Sequence, residues 1–174
     1  MRFEIDTLTE RAEPFAHTFA TEALMLEEDG ARLIAPAEVE GRVSRKGDEV
    51  RLRGRIRTTV ETLCDRCLKP AVFPVETEFD ERYVPAGTEV KTEETELHPD
   101  ELALSVYDGG TLDADELVRE QILLALPTRL LCREECKGLC PGCGADLNNE
   151  TCGCERNEVD PRWAALAAIK DRES

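Results

Sequence analysis

The sequence predicts an α+β protein: an antiparallel β-meander core with a few helices and an appended zinc-binding cysteine cluster. Three observations predict it. Residues 37–83 alternate apolar and charged side chains in successive stretches separated by turn residues. After Asp113 the apolar residues fall three and four apart. Six of the eight cysteines then crowd into residues 132–154. At 174 residues the chain is near the size of one domain. It divides into a sheet-based α+β core at 1–130, which contains a Cys64/Cys67 knuckle, and a zinc-binding cluster with a C-terminal helix at 131–174.

Phe3 and Ile5 alternate with polar neighbours, as in a short edge strand. Phe15 to Leu26 is expected to be a helix, stopped by Glu-Glu-Asp-Gly at 27–30. From Ala37 the period becomes two. Val39, Gly41 and Val43 alternate with Glu38, Glu40 and Arg42, and Lys46-Gly47-Asp48 supplies a turn. In the next strand, Val50 to Leu63, one face carries Leu52, Ile56, Thr58 and Val60. A third strand from Val72 to Tyr83 turns Phe73, Val75 and Phe79 inward and Glu76, Glu78 and Asp80 outward. Short connections between consecutive strands imply an antiparallel meander with one wet face. Residues 85–101, punctuated by Pro85, Gly87 and Pro99 and rich in acids, read as a solvated loop. Asp113 is placed to cap a helix with Ala114, Leu117, Val118, Ile122 and Ala125 on one face and Pro127 as its end. A last helix is expected after Asp160-Pro161, burying Trp163, Leu166 and Ala167.

Twenty-two basic residues stand against 38 acidic ones, a net charge of −16. A field of that sign repels nucleic acid at long range and attracts basic partners, although a local basic patch still reaches phosphates. No apolar run approaches the roughly 18 residues of a membrane span, so no membrane role is expected. The N-terminal Met-Arg-Phe-Glu-Ile-Asp carries acids where an export signal needs apolar residues, which points to the cytoplasm. In that reducing compartment, clustered cysteines hold metal or do redox chemistry. No phosphate loop, nucleophile elbow or dinucleotide fingerprint occurs, and the two histidines, His17 and His98, are isolated. The expectation is a protein that is not an enzyme.

The cluster is Cys132, Cys136, Cys140, Cys143, Cys152 and Cys154. Cys140-Pro-Gly-Cys143-Gly is a zinc knuckle: two sulfurs three positions apart reach one ion, and the glycines let the backbone fold around it. Cys136 and either Cys152 or Cys154 are its nearest candidates for the remaining ligands. Cys64-Asp-Arg-Cys67 lies between two expected strands, where a knuckle supplies half a site. Eight thiols fit two four-sulfur sites, with Cys64 and Cys67 completed from the cluster. A single site joining Cys64 and Cys67 to Cys140 and Cys143 is the other possibility. One or two structural zinc ions follow; a four-thiolate zinc has no open position for water and is not catalytic. Arg51, Arg53, Arg55 and Arg57 alternate along one strand and project from one face. They form either a phosphate-tracking strip or one side of cross-strand pairs with Glu38, Glu40, Glu76, Glu78 and Asp80; matching acids on the neighbouring strands favour the pairs.

Three segments in this order resemble one family. They are Gly54-Arg-Ile-Arg-Thr leading into Cys64-Asp-Arg-Cys67-Leu68; Glu120-Gln-Ile-Leu-Leu-Ala-Leu-Pro127; and Cys136-Lys-Gly-Leu-Cys140-Pro-Gly-Cys143-Gly-Ala-Asp-Leu-Asn148 with Cys152, Cys154 and Asp160-Pro161-Arg162. Over residues 35–170 the chain resembles the YceD family of large ribosomal RNA subunit accumulation proteins; the first 30 residues lie outside the likeness. The resemblance implies a cytoplasmic factor needed for normal levels of large-subunit ribosomal RNA. Some members lack the C-terminal cysteines, which implies that zinc stabilises this branch rather than performing its function. Family genes often neighbour that of a small basic ribosomal protein of the large subunit, so the resemblance implies a basic protein partner such as a large-subunit ribosomal protein. Direct RNA binding through the arginine row is the second reading.

Overall fold

The computed structural model describes residues 1–26, 30–87 and 104–154. In chain order its elements are β1 (Arg2–Glu4), a 3-10 turn (Ile5–Thr7), β2 (Glu13–Phe19), β3 (Arg32–Leu33), β4 (Ala37–Lys46), β5 (Glu49–Leu63), β6 (Pro70–Pro85), β7 (Leu104–Tyr107), β8 (Thr111–Asp113) and α1 (Asp115–Leu124).

Period-two alternation becomes the long hairpins β4–β5 and β5–β6. Lys46 pairs with Glu49 across the two-residue turn Gly47-Asp48, and Gly47 takes the positive φ of +63° that the turn needs. Val39 and Val43 of β4, Val50, Leu52, Ile56 and Val60 of β5, and Val75, Phe79 and Tyr83 of β6 all face one side and are buried. Helix α1 closes this face with Leu117, Val118 and Ile122, joined by Ile5 from the 3-10 turn and Leu112 from β8 of the small β1–β8 ribbon. The opposite face carries the charged residues and stays in water.

One cross-sheet row explains two glycines. Phe15, Gly41, Gly54 and Phe79 stand side by side across β2, β4, β5 and β6 on the buried face. A Cβ on Gly54 would lie 2.8 Å from Phe79 Cζ and 2.5 Å from the Glu40 carbonyl oxygen; one on Gly41 would meet Phe15 Cζ at 2.9 Å. The two rings fold over the glycines, filling with aromatic surface what the missing side chains leave open.

Four expectations need correction. Residues 15–26 are not a helix. β2 forms there, pairing Phe15 with Gly41, His17 with Val39 and Phe19 with Ala37, and burial of Phe19 on the sheet overrides the helical preference of the Ala-Leu-Met stretch. The sheet is mixed rather than a pure meander. Its order is β2-β4-β5-β6-β7, with β3 also against β5, and β7 runs parallel to β6. A parallel neighbour needs a crossover instead of a tight turn, and residues 86–103 intervene. Ile5 belongs to the 3-10 turn, beyond the strand. At α1, Ala114 is the N-cap and Asp113 ends β8; the Asp113 carboxylate accepts the Asp115 amide at 3.0 Å, and Ala125 is exposed. Among the described residues α1 is the one α-helix. The helix expected after Pro161 with Trp163, His98 and most of the 85–101 segment lie outside the described residues.

Candidate metal centres

Six residues at the tip of the β5–β6 hairpin, Cys64 to Lys69, fold into a tight knuckle. The Cys64 amide donates to the Lys69 carbonyl at 2.8 Å and the Leu68 amide to the Cys64 carbonyl at 2.9 Å. Residues 140–145 repeat the pattern. The Cys140 amide donates to the Ala145 carbonyl and the Gly144 amide to the Cys140 carbonyl, both at 2.8 Å. In each loop the fifth residue is left-handed: Leu68 at φ 57° and Gly144 at φ 74°.

The thiols gather into two groups, each with all four sulfurs within 4.8 Å of one another. The first joins Cys64 and Cys67 to Cys132 and Cys136; the second holds Cys140, Cys143, Cys152 and Cys154. Cys64 and Cys136 sulfurs are 3.8 Å apart and Cys67 and Cys132 sulfurs 3.6 Å. A metal–sulfur length of about 2.3 Å in a tetrahedron requires sulfurs about 3.8 Å apart. The spacing therefore fits a four-thiolate metal and is far beyond a disulfide's roughly 2.05 Å. Both groups could hold a metal ion. The division corrects the proximity argument: Cys136 serves the hairpin site, and Cys152 and Cys154 together complete the C-terminal knuckle. Nor do Cys64 and Cys67 share a site with Cys140 and Cys143. Sequence distance misled because the chain folds 132–136 back against the hairpin tip.

The surroundings hold the sulfurs as ligands. Burial alone would raise the Cys64 thiol, but backbone amides of Cys132, Cys67 and Arg66 aim at its sulfur and bring it down to about 6. Amides of Cys143 and Gly142, with the Cys152 thiol, lower Cys140 to about 6. Cys154, beside the Cys143 and Cys140 sulfurs, is pushed up to about 12, since four crowded sulfurs cannot all ionise without a cation. At the first centre Cys64, Cys67 and Cys136 are buried with Ala71 among Phe73, Leu131 and Leu139, and Cys132 is exposed. At the second, Cys143 and Cys154 are exposed.

Several outer contacts escaped the sequence reading. Lys69 reaches Asp146 at 2.5 Å, Arg66 donates to the Cys136 carbonyl at 2.6 Å, and the Asp65 carboxylate accepts the Leu130 amide at 2.6 Å. Asn148 donates to the Cys136 sulfur at 3.5 Å while its oxygen accepts the Lys137 amide at 2.9 Å. It thus carries a contact from the second loop to the first centre. Such outer partners orient metal ligands. Gly138 approaches so closely that an added Cβ would stand 2.8 Å from the Arg66 carbonyl oxygen.

The arginine row is engaged across the sheet. Arg51 makes two 2.7 Å bonds to Asp80, Arg57 reaches Glu76 at 3.0 Å, and Arg55 pairs with Glu40 and, at 3.7 Å, with Glu76. Arg53 lies opposite Asp80, whose carboxyl is lowered first by Arg51 and also by Arg53. His17 is an exposed residue edge-on to Phe19, 4.4 Å between rings. No helix among the described residues is long and apolar enough to cross a membrane.

Comparison with known proteins agrees with these motifs. The family model described as large ribosomal RNA subunit accumulation protein YceD matches residues 52–170. An uncharacterized Mycobacterium tuberculosis protein is 32% identical over 139 residues, covering 79% of this chain and 63% of its own length. Bacillus subtilis YlbN is 27% identical over 168 residues, 96% of this chain and 93% of its own. The chloroplastic YCED homolog 1 of Arabidopsis thaliana is 24% identical over 166 residues, 79% of this chain and 49% of its own. The chain therefore spans less than two thirds of the mycobacterial relative. No solved structure matches. The matched region holds most of the β5–β6 hairpin, α1 and all eight cysteines, and the chain belongs to the YceD family.

Proposed function

We propose that this protein is a non-enzymatic accessory factor that supports accumulation of large-subunit ribosomal RNA. It acts in the cytoplasm as an acidic, zinc-stabilised binding protein. The relatives' names carry the ribosomal part of the reading. The observation that favours protein contact over RNA contact is the state of the arginine row: Arg51, Arg55 and Arg57 already face carboxylates, within a chain of net charge −16. A basic protein, such as one of the large subunit, is the partner that this charge selects. Zinc is the metal that four clustered thiolates select, and it closes both centres without an open position for chemistry.

Affinity capture of the tagged protein at low and physiological salt, with protein and RNA both identified, tests the reading. A basic large-subunit protein retained after nuclease treatment supports it. RNA recovered alone, and lost when the arginines are changed to Gln, refutes it.

A further inference from the structure

The two knuckles have the same hydrogen bonds and differ at one telling position. Where the C-terminal loop places Gly144, the hairpin loop places Leu68, also left-handed. A non-glycine residue there is strained by roughly 1–2 kcal/mol. The strain gains no burial, since Leu68 is 60% exposed. Backbone outliers of this kind concentrate where a side chain is used.

Leu68 stands on a groove of about 570 Å³ that also receives Leu63, Leu124, Leu126, Pro127 and Leu130. Leu63 and Leu124 are 43% and 77% exposed. The charges at the groove itself offset each other: Asp65 lines it, and Arg129 is exposed between the lining residues Thr128 and Leu130. Along α1, however, Glu120 lies one turn before Leu124 and so on the same side of the helix. Glu120 lines a second cleft with Glu81. Burial first, and then the Glu120 charge, raise the Glu81 carboxyl, the signature of a site that a cation would relieve. The apolar groove takes Leu123 and Leu124 of α1 and the acidic cleft takes Glu116 and Glu120 of the same helix, so a segment lying along α1 would meet an apolar end and an acidic end. A second copy of this chain brings another −16 and is repelled.

We propose that the groove docks a basic protein segment, its apolar anchor against Leu68 and Leu124 and its cationic side chains at Glu81 and Glu120. This rests on the basic-partner reading above and gives it a place on the molecule.

The test uses the full metal-loaded chain with a photo-crosslinking residue at position 68, and the proteins stripped from purified large ribosomal subunits as probe. The crosslinked partner is then titrated against wild type, Leu68→Gly and Glu120→Lys. Support is a crosslink to an apolar residue flanked by Lys or Arg, and binding about tenfold weaker in Leu68→Gly. Leu68→Gly keeps its fold, because glycine suits the left-handed position, so thermal stability equal to or above wild type shows that the loss is one of contact. Glu120→Lys weakens binding chiefly at low salt. A crosslink to residues 155–174 or to a second copy overturns the proposal, as does partner affinity unchanged in Leu68→Gly. Absence of any basic partner for the wild type fails the functional reading itself, a different result from a partner that binds elsewhere.

Discussion

Removing one metal centre at a time should reveal that they stabilise different things. The first centre ties the hairpin to residues 132–136 across separations of 72 and 65 residues. The second closes only residues 140–154. Treated as chain crosslinks, loops of these lengths restrict the unfolded chain by about 4 and about 3 kcal/mol respectively. Only the first spans β6, β7, β8 and α1, so only it is felt in global unfolding. The Cys132→Ser/Cys136→Ser double variant should hold about one zinc fewer than wild type and lose about 4 kcal/mol. For a chain of this size that is a fall in Tm of about 8–16 °C. Cys152→Ser/Cys154→Ser should also lose one zinc yet unfold within about 1 kcal/mol of wild type, with fast hydrogen exchange confined to 140–154. Metal content by elemental analysis, thermal unfolding and exchange mapping read all three quantities. Equal Tm losses in the two variants, or loss of both metals on removing Cys152 and Cys154, would refute the division.

Three further outcomes follow from the geometry. Gly54→Ala places a Cβ 2.5 Å from the Glu40 carbonyl and 2.8 Å from the Phe79 ring, and should cost about 2 kcal/mol or more in denaturant unfolding; a wild-type midpoint would mean that the rings move aside freely. Changing Arg51, Arg53, Arg55 and Arg57 together to Gln should leave RNA affinity as negligible as in wild type, with only a small drop in Tm; a wild type whose RNA binding shows a log–log salt slope reduced by about 0.7 per lost contact in the variant would overturn the pairing argument. In reduced, metal-free protein, thiolate ultraviolet absorbance should rise near pH 6, because Cys64 and Cys140 are held at about 6. Their folded values lie below the roughly 8.5 of a free thiol, so their contribution is full above that value and is lost as pH falls through about 6. A single rise near pH 8.5 would show that the loop amides do not reach the sulfurs.

The β4–β5–β6 hairpins were legible because each strand buries one face, so Val39, Leu52, Ile56 and Val75 carry their environment in their spacing. β2 was not, because its Ala- and Leu-rich continuation scores as helix and only pairing with β4 decides otherwise. β7 is four residues long and reached by a crossover, which leaves little local pattern. At the centres, the knuckles themselves were readable from the two-residue spacing of their cysteines, with flanking glycines at the second. Their partners were not, because the pairing depends on 132–136 returning to a hairpin more than 60 residues earlier. Leu68 belongs to the Cys64–Leu68 motif, but its left-handed backbone has no sequence signal, since leucine is not a residue that favours it.

The long separation at the first centre also sets an order of events during synthesis. β4, β5 and β6 join through local turns and complete their hairpins soon after they leave the ribosome. Cys64 and Cys67 lie at the hairpin tip, and counted from their own synthesis a further 65 to 72 residues are made before Cys132 and Cys136 appear. At about 5–20 residues per second the wait lasts roughly 3–14 s. Through that interval the nascent chain presents two sulfurs with no partners. Closure of the centre is accordingly among the last steps of maturation. On the zinc reading proposed above, a cell short of the metal would accumulate chains with a finished sheet and an open hairpin tip, the form most exposed to oxidation and to capture by the wrong metal.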